Sequence, residues 1–154
     1  MGRWSRQELE DAFEVYQKVG EQAGSSGDWN PWAELFTDDA TYVEHLFGTM
    51  HGREEIRAWI TNVMSTWPGN AMPVFPIGWY IVDEERGWIA CEILNRMEDP
   101  GDGSIHQAAN FTLLKYGGEG LWDYEEDIYN PQTFRDMIEV WSKRKAELSK
   151  KEDA

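Results

Sequence analysis

Three turn signals in the second half of the chain, each about a strand's length from the next, limit its fold more than any other feature. Asp83-Glu84-Glu85-Arg86-Gly87, Asp99-Pro100-Gly101-Asp102-Gly103 and Gly117-Gly118-Glu119-Gly120 each separate two runs of apolar and aromatic residues. The runs are 74–82, 88–97, 105–116 and 121–129, and Pro76 in the first marks an edge or a bulge. Four consecutive strands joined this way form an antiparallel meander.

The first half carries helical periodicity instead. Ser5-Arg6-Gln7-Glu8 has the pattern of a capping box, in which serine and glutamate satisfy each other's free amides. Leu9, Ala12, Phe13, Tyr16 and Val19 recur on one helical face until Gly24-Ser25-Ser26-Gly27. A short second helix starts at Asn30-Pro31 or at Asp28, with Trp29, Trp32, Ala33 and Phe36 on one side. Ala40 to Phe47 reads as a strand, with Val43, His45 and Phe47 on one face and Tyr42, Glu44 and Leu46 on the other. Beyond a turn bracketed by Gly48 and Gly52, Ile56, Trp59, Ile60, Val63, Met64 and Trp67 form a third helical stripe, ended by Pro68-Gly69. Asn130-Pro131 announces a last helix with Phe134, Met137, Ile138 and Trp141 as its buried stripe, and a polar, fraying end from Lys143 to Ala154.

Early helices, a run of long strands and one closing helix make an α+β order. The length, 154 residues, suits one domain over 1–154 and not two. Long curved antiparallel strands wrapped around the N-terminal helices, with one closing C-terminal helix, make a natural pocket. Nine Trp, six Tyr and six Phe supply rings for a pocket wall or a subunit interface. A net charge of −15 repels phosphate backbones and anionic lipid head groups, so nucleic acid and membrane surfaces are poor partners. Cys91, the single cysteine, rules out an intrachain disulfide. No apolar run is long enough to span a bilayer, and no apolar signal core precedes the first helix, so the cytoplasm is the expected compartment. The three histidines lack the close spacing of a zinc site, and neither a metal nor a cofactor is expected.

The segment Phe36-Thr37-Asp38-Asp39-Ala40-Thr41-Tyr42-Val43-Glu44-His45, followed by Gly52-Arg53-Glu54-Glu55-Ile56-Arg57-Ala58-Trp59, resembles the nuclear transport factor 2-like superfamily. Its nearest likeness is to the SnoaL-like polyketide cyclases and the ketosteroid isomerases. The resemblance implies a cone-shaped fold and a pocket for a small hydrophobic molecule. It implies that Tyr16 is an oxyanion donor on the first helix and that His45 stands where those isomerases place their base. Their second donor, on a late strand, would fall near Ala109, where it is absent, and that argues against steroid isomerisation itself.

The residues support the same chemistry. His45 shares a strand face with Val43 and Phe47, which points it inward, and a neutral imidazole there is a competent general base. Trp122, Tyr124, Glu126 and Ile128 share a largely apolar face, opposite the acidic Asp123, Glu125 and Asp127, which read as solvated. A carboxylate among rings needs a partner, and His45 across the pocket would supply one to Glu126. Phe36, Trp59, Ile60, Val63 and Tyr124 are the expected pocket lining. The expected function is a cofactor-independent isomerase, cyclase or lyase acting on a hydrophobic, carbonyl-bearing molecule of polyketide or terpenoid type. A non-catalytic binding domain is the alternative. An epoxide or ester hydrolase is a further one, for which Arg96 and Glu92 share a strand face. Trp79, Trp88 and Trp122 suggest a homodimer formed through the outer face of the sheet.

Overall fold

Each turn signal closes a hairpin. The computed structural model describes residues 2–153, and in it β3 (Ile77–Asp83), β4 (Trp88–Arg96), β5 (Gln107–Gly118) and β6 (Leu121–Ile128) pair in sequence as an antiparallel meander. Ahead of them lie α1 (Arg6–Ser26), α2 (Asn30–Ala33), β1 (Phe36–Glu44), β2 (Gly48–His51) and α3 (Arg53–Ser65), and after them α4 (Pro131–Glu152). The sheet order is β2-β1-β6-β5-β4-β3. β1 lies parallel to β6, so the sheet is mixed and not wholly antiparallel. The sheet is curved and unclosed, with α1 to α3 and α4 around it, as the α+β order implies.

Local chemistry explains the ends of these elements. The Ser5 hydroxyl accepts the Glu8 amide at 3.1 Å, which is half of the expected capping box. The other half is missing because the Glu8 carboxylate accepts the Tyr116 hydroxyl at 2.8 Å. α1 runs through Gly24 and stops at Gly27, whose φ of 80° is the left-handed conformation that ends helices without a Cβ penalty. Phe36 begins β1 and does not belong to α2, and Gly48 to His51 form a short strand where a turn was expected. Val74 makes one isolated bridge to Arg96 and β3 begins only after Pro76, which has no amide to give. The polar end of α4 does not fray before Glu152, while Ala154 lies outside the described residues. Salt bridges from Arg144 to Asp102 and from Lys145 to Glu98, both at 2.7 Å, tie that helix to the loop between β4 and β5.

Three bulges bend the sheet. Between Ile77 and Trp79, between Tyr116 and Gly118, and between Trp122 and Tyr124, two residue steps on one strand face one on its neighbour, so Gly78, Gly117 and Asp123 are the extra residues. The last of them decides the interior. Trp122 and Glu125 are three apart, which in an unbroken strand would place them on opposite faces, yet both are buried, at 0% and 1% exposure. With Asp123 bulged out, the strand changes phase. Trp122, Glu125 and Asp127 face the concave side, and Tyr124, Glu126 and Ile128 face out. Leu9, Phe13 and Tyr16 of α1 pack into that concavity against Phe36, Tyr42, Ile89, Leu114 and Trp122. Of the three tryptophans expected on the outer face, Trp122 is therefore inside. Trp79 is exposed beside Phe111, with ring centroids 5.8 Å apart, and Trp88 carries the Lys115 ammonium 4.6 Å from its ring centroid.

The bulge makes residue count matter more than residue type at position 123. Asp123→Ala should change stability by no more than ~0.5 kcal/mol, because it keeps the extra residue. Deleting Asp123 should cost more than ~2 kcal/mol, because it drives either Trp122 out of the core or Glu125 out of its network. Urea denaturation of the two variants checks this, and equal stabilities would contradict the phase change.

Candidate active site

The concave face encloses a cavity in two connected parts. The inner chamber, of about 160 Å³, is walled by Trp29, Trp32, Trp59, Ile60, Val63, Met64, Phe75, Ile77 and Ile93. Its polar residues are Tyr16 and Gln17 from α1, Tyr42 from β1, Asn95, Asn110, Glu125 and Asp127. The outer chamber, of about 370 Å³, shares Trp59, Val63, Met64, Phe75, Asn95, Asn110 and Asp127 with the first and widens toward α4.

Two carboxyl groups meet at the floor. The Tyr16 hydroxyl donates to Glu125 Oε1 at 2.9 Å, and the Tyr42 hydroxyl lies 3.0 Å from the same oxygen. Tyr42 also contacts Asp127 Oδ2 more closely. The Thr112 hydroxyl donates to Asp127 Oδ1 at 2.6 Å, and Thr112 in turn accepts the Asn110 amide at 2.7 Å. Asn95 donates to Asn110 Oδ1 at 2.7 Å. Tyr42 has a single proton and gives it to the nearer Asp127. The contact between Tyr42 and Glu125 Oε1 then needs a proton on Glu125. Asp127, accepting from Tyr42 and Thr112, is the ionised partner, and Glu125 is the neutral one.

The energetics point the same way. Burial, reinforced by Asp127 alongside, holds the Glu125 carboxyl well above its ordinary pKa. Burial also raises Asp127, against hydrogen bonds from Thr112 and Tyr42 that favour its charge. Tyr16 and Tyr42 are raised by burial and by the two acids beside them, so both hydroxyls keep their protons. Glu125 Oε2 is buried without a partner. The pair shares one proton at a floor where Glu125, Tyr42 and Tyr16 are all buried, and such a pair can both give and take a proton.

Several expected site residues lie elsewhere. His45 and Glu126 do meet, with Nε2 and Oε2 2.7 Å apart, but on the outer face, where their side chains are 51% and 23% exposed. Neither lines either chamber. The inward placement expected for them is reversed by the Asp123 bulge on β6, and on β1 by Tyr42 and Glu44, which are the buried residues. Tyr124 shares that outer face and donates to Glu126 Oε1 at 2.6 Å. That bond and His45 lower the Glu126 pKa, while burial and Glu126 push Tyr124 up to about 12. Phe36 is fully buried behind the wall, stacked edge-on with Trp32. Tyr16, Trp59, Ile60 and Val63 line the cavity as expected. Arg96 and Glu92 line neither chamber, because Ile93 and Asn95 hold the inward positions of β4. Ala109 likewise belongs to the outward phase, and its neighbour Asn110 faces the cavity.

The residues that sequence reasoning missed are Tyr42, Asn95, Asn110, Thr112, Glu125 and Asp127. One signal was available. Asn95 near the end of β4, and Asn110 and Thr112 two residues apart on one face of β5, put uncharged polar groups within largely apolar strands. Such groups need buried partners.

The chain matches the SnoaL-like domain over residues 19–113, more than half its length, and belongs to that family. No curated protein matches it. Among solved structures it is similar to SalBIII, an epoxide hydrolase/cyclase-like enzyme in pyran ring formation in polyether salinomycin. The identity is 16% and the TM-score 0.65, over 84% of this chain and 95% of that one. A ketosteroid isomerase-like protein from Catenulispora acidiphila, solved with trimethylamine, is 24% identical with a TM-score of 0.58, over 75% and 85% of the chains. A nuclear transport factor 2-like protein from Anabaena variabilis is 12% identical with a TM-score of 0.61, over 84% and 95%. These likenesses establish a shared nuclear transport factor 2-like fold.

The proton on Glu125 makes stability depend on pH with a definite sign. The folded pKa is raised, so the folded chain holds a proton that the unfolded chain releases above ~4.3. Stability contributed by the neutral carboxyl is fully present below that pH and is lost as pH rises toward the folded value. Glu125→Gln removes this dependence. Relative to the variant, the wild type should lose up to ~1.4 kcal/mol per pH unit above the ordinary glutamate range. Urea unfolding of both proteins across the acid-to-neutral range measures it, and an opposite slope would mean that Glu125 is charged in the fold.

Proposed function

We propose that this protein is a cofactor-independent acid/base enzyme, an isomerase, cyclase or lyase, acting on a small hydrophobic molecule that bears a carbonyl group. The observation that carries the reading is the paired Glu125 and Asp127 carboxyls at the polar floor of an otherwise apolar cavity. Asp127, which lines both chambers, takes a proton from carbon next to the carbonyl. Tyr16 donates to the oxygen on which negative charge develops, and Glu125 behind it passes its proton toward Tyr16 as the tyrosine turns its own toward the substrate. The apolar walls exclude water and strengthen each of these interactions. SalBIII, described as an epoxide hydrolase/cyclase-like enzyme, shares the fold and is compatible with proton transfer as the common step.

The test is exchange of the α-hydrogens of β-tetralone with deuterated water, followed by proton NMR. Asp127→Asn should lower the exchange rate by about 10²–10⁴-fold while leaving tetralone affinity nearly unchanged. His45→Ala and Glu126→Gln should leave it unchanged. In the wild type, exchange should increase as pH rises through the raised Asp127 pKa, because only the ionised carboxylate is a base. An Asp127→Asn protein that exchanges at the wild-type rate would refute this assignment.

A further inference from the structure

We infer that the substrate is an elongated hydrophobic acid, whose carboxylate is held by Arg135 at the rim of the outer chamber while its other end reaches the floor. The inference rests on the acid/base reading of the floor and adds the far end of the ligand. Among the described residues lining the two chambers, Arg135 is the only cation. In a chain of net charge −15, most arginines are taken up by acids: Arg6 by Glu10, Arg53 by Asp38, Arg57 by Glu34 and Glu54, Arg86 by Asp83, and Arg144 by Asp102. Among the described residues, Arg135 has no carboxylate partner. Its Nε and Nη2 both donate to Gln132 Oε1, at 3.3 and 2.9 Å.

The geometry of that contact matters. A guanidinium has five N–H donors in a rigid plane, and Gln132 occupies its side-on edge. Both hydrogens of Nη1 and the second of Nη2 are left, and these form the end-on edge that grips a carboxylate through two parallel bonds. Gln132 holds the plane in place and leaves that edge free. Arg135 follows directly on the first turn of α4, which carries no acidic side chain. Asp136, the next residue, is engaged by the Gln132 amide at 2.7 Å, and neither it nor Glu139 one turn on pairs with the guanidinium. Of the two acids that line the outer chamber, Asp127 belongs to the floor, and the Glu44 carboxylate is turned to its own loop, accepting the Phe47 amide at 2.9 Å and the Leu46 amide at 3.5 Å.

Charge also sets the direction of entry. A carboxylate at the floor would face Asp127 and would be repelled and desolvated at once. An acid therefore enters with its apolar end first, past Trp59, Val63, Met64 and Phe75, and leaves its charge at Arg135. The wall shared by the two chambers, of about 160 and 370 Å³, presents Trp59, Val63, Met64 and Phe75 beside the amides of Asn95 and Asn110, and so suits an apolar body between the two polar ends. The reacting group of the substrate accordingly lies at the end remote from its carboxylate.

The test compares pyrenebutyrate with its neutral primary amide, by fluorescence titration at low ionic strength. The wild type should bind the acid about two- to fivefold more tightly, the range of a solvent-exposed charge pair. Arg135→Gln should abolish that preference and leave the amide affinity unchanged, and Arg135→Lys should restore part of it. Arg135 is exposed, so thermal melts of the variants should match the wild type. Equal binding of acid and amide by the wild type, or a preference that survives Arg135→Gln, would overturn the assignment of Arg135 alone. If neither probe binds the wild type, the inference falls together with the hydrophobic-ligand reading of the cavity. Exchange of β-tetralone that depends on Asp127 would still stand apart from either result.

Discussion

Two carboxyl groups cannot both stay ionised in a space walled by tryptophans, and this desolvation cost organises the rest of the molecule. Each acid must be neutral, or be given donors, wherever it is buried. Glu125 takes the first course and Asp127 the second. The donors come from different elements: Tyr16 from α1, Tyr42 from β1 and Thr112 from β5. The network that makes the floor tolerable therefore ties the first helix to three neighbouring strands. Function and fold share the same bonds.

Adjacent residues show how far environment outweighs residue type. Glu125 and Glu126 are consecutive and chemically identical, yet one is raised by burial and the other lowered by a tyrosine and a histidine that favour its charge. The His45, Glu126 and Tyr124 cluster has the composition of an acid/base site but faces solvent on the convex side. The acids on the concave side sit in a low-dielectric enclosure, where each hydrogen bond is stronger and each missing one more costly. Polarity then falls away from the floor, through the amides of Asn95 and Asn110, to apolar walls and finally to one guanidinium at the rim.

Much of the fold was legible because turn chemistry and periodicity are local. The three glycine-bearing turns, the stripes of α1, α3 and α4 and the α+β order all follow from near neighbours in the chain. The parallel pairing of β1 with β6 and the extra strand at Gly48–His51 do not, since they depend on contacts between distant segments. The site was half legible. Tyr16, Trp59, Ile60 and Val63 were found because helical spacing defines a face without ambiguity. Glu126 was assigned inward because strand alternation has a period of two and one bulged residue inverts every assignment beyond it, while His45 follows β1, where the alternation holds but Tyr42 and Glu44 take the inward phase. Nothing in Leu121-Trp122-Asp123-Tyr124-Glu125-Glu126-Asp127 announces the bulge, since a Trp, a Tyr and four acids satisfy either phase.

The central claim, that Glu125 and Asp127 share one proton inside the cone, is tested most directly by a carbon-13 NMR titration of the carboxyl carbons, in the wild type and in Glu125→Gln. One glutamate resonance should remain at the chemical shift of a protonated carboxyl at neutral pH and be missing from the variant. If every glutamate in the wild type is ionised at neutral pH, with all of them titrating in the ordinary carboxylate range, the account of the site is wrong.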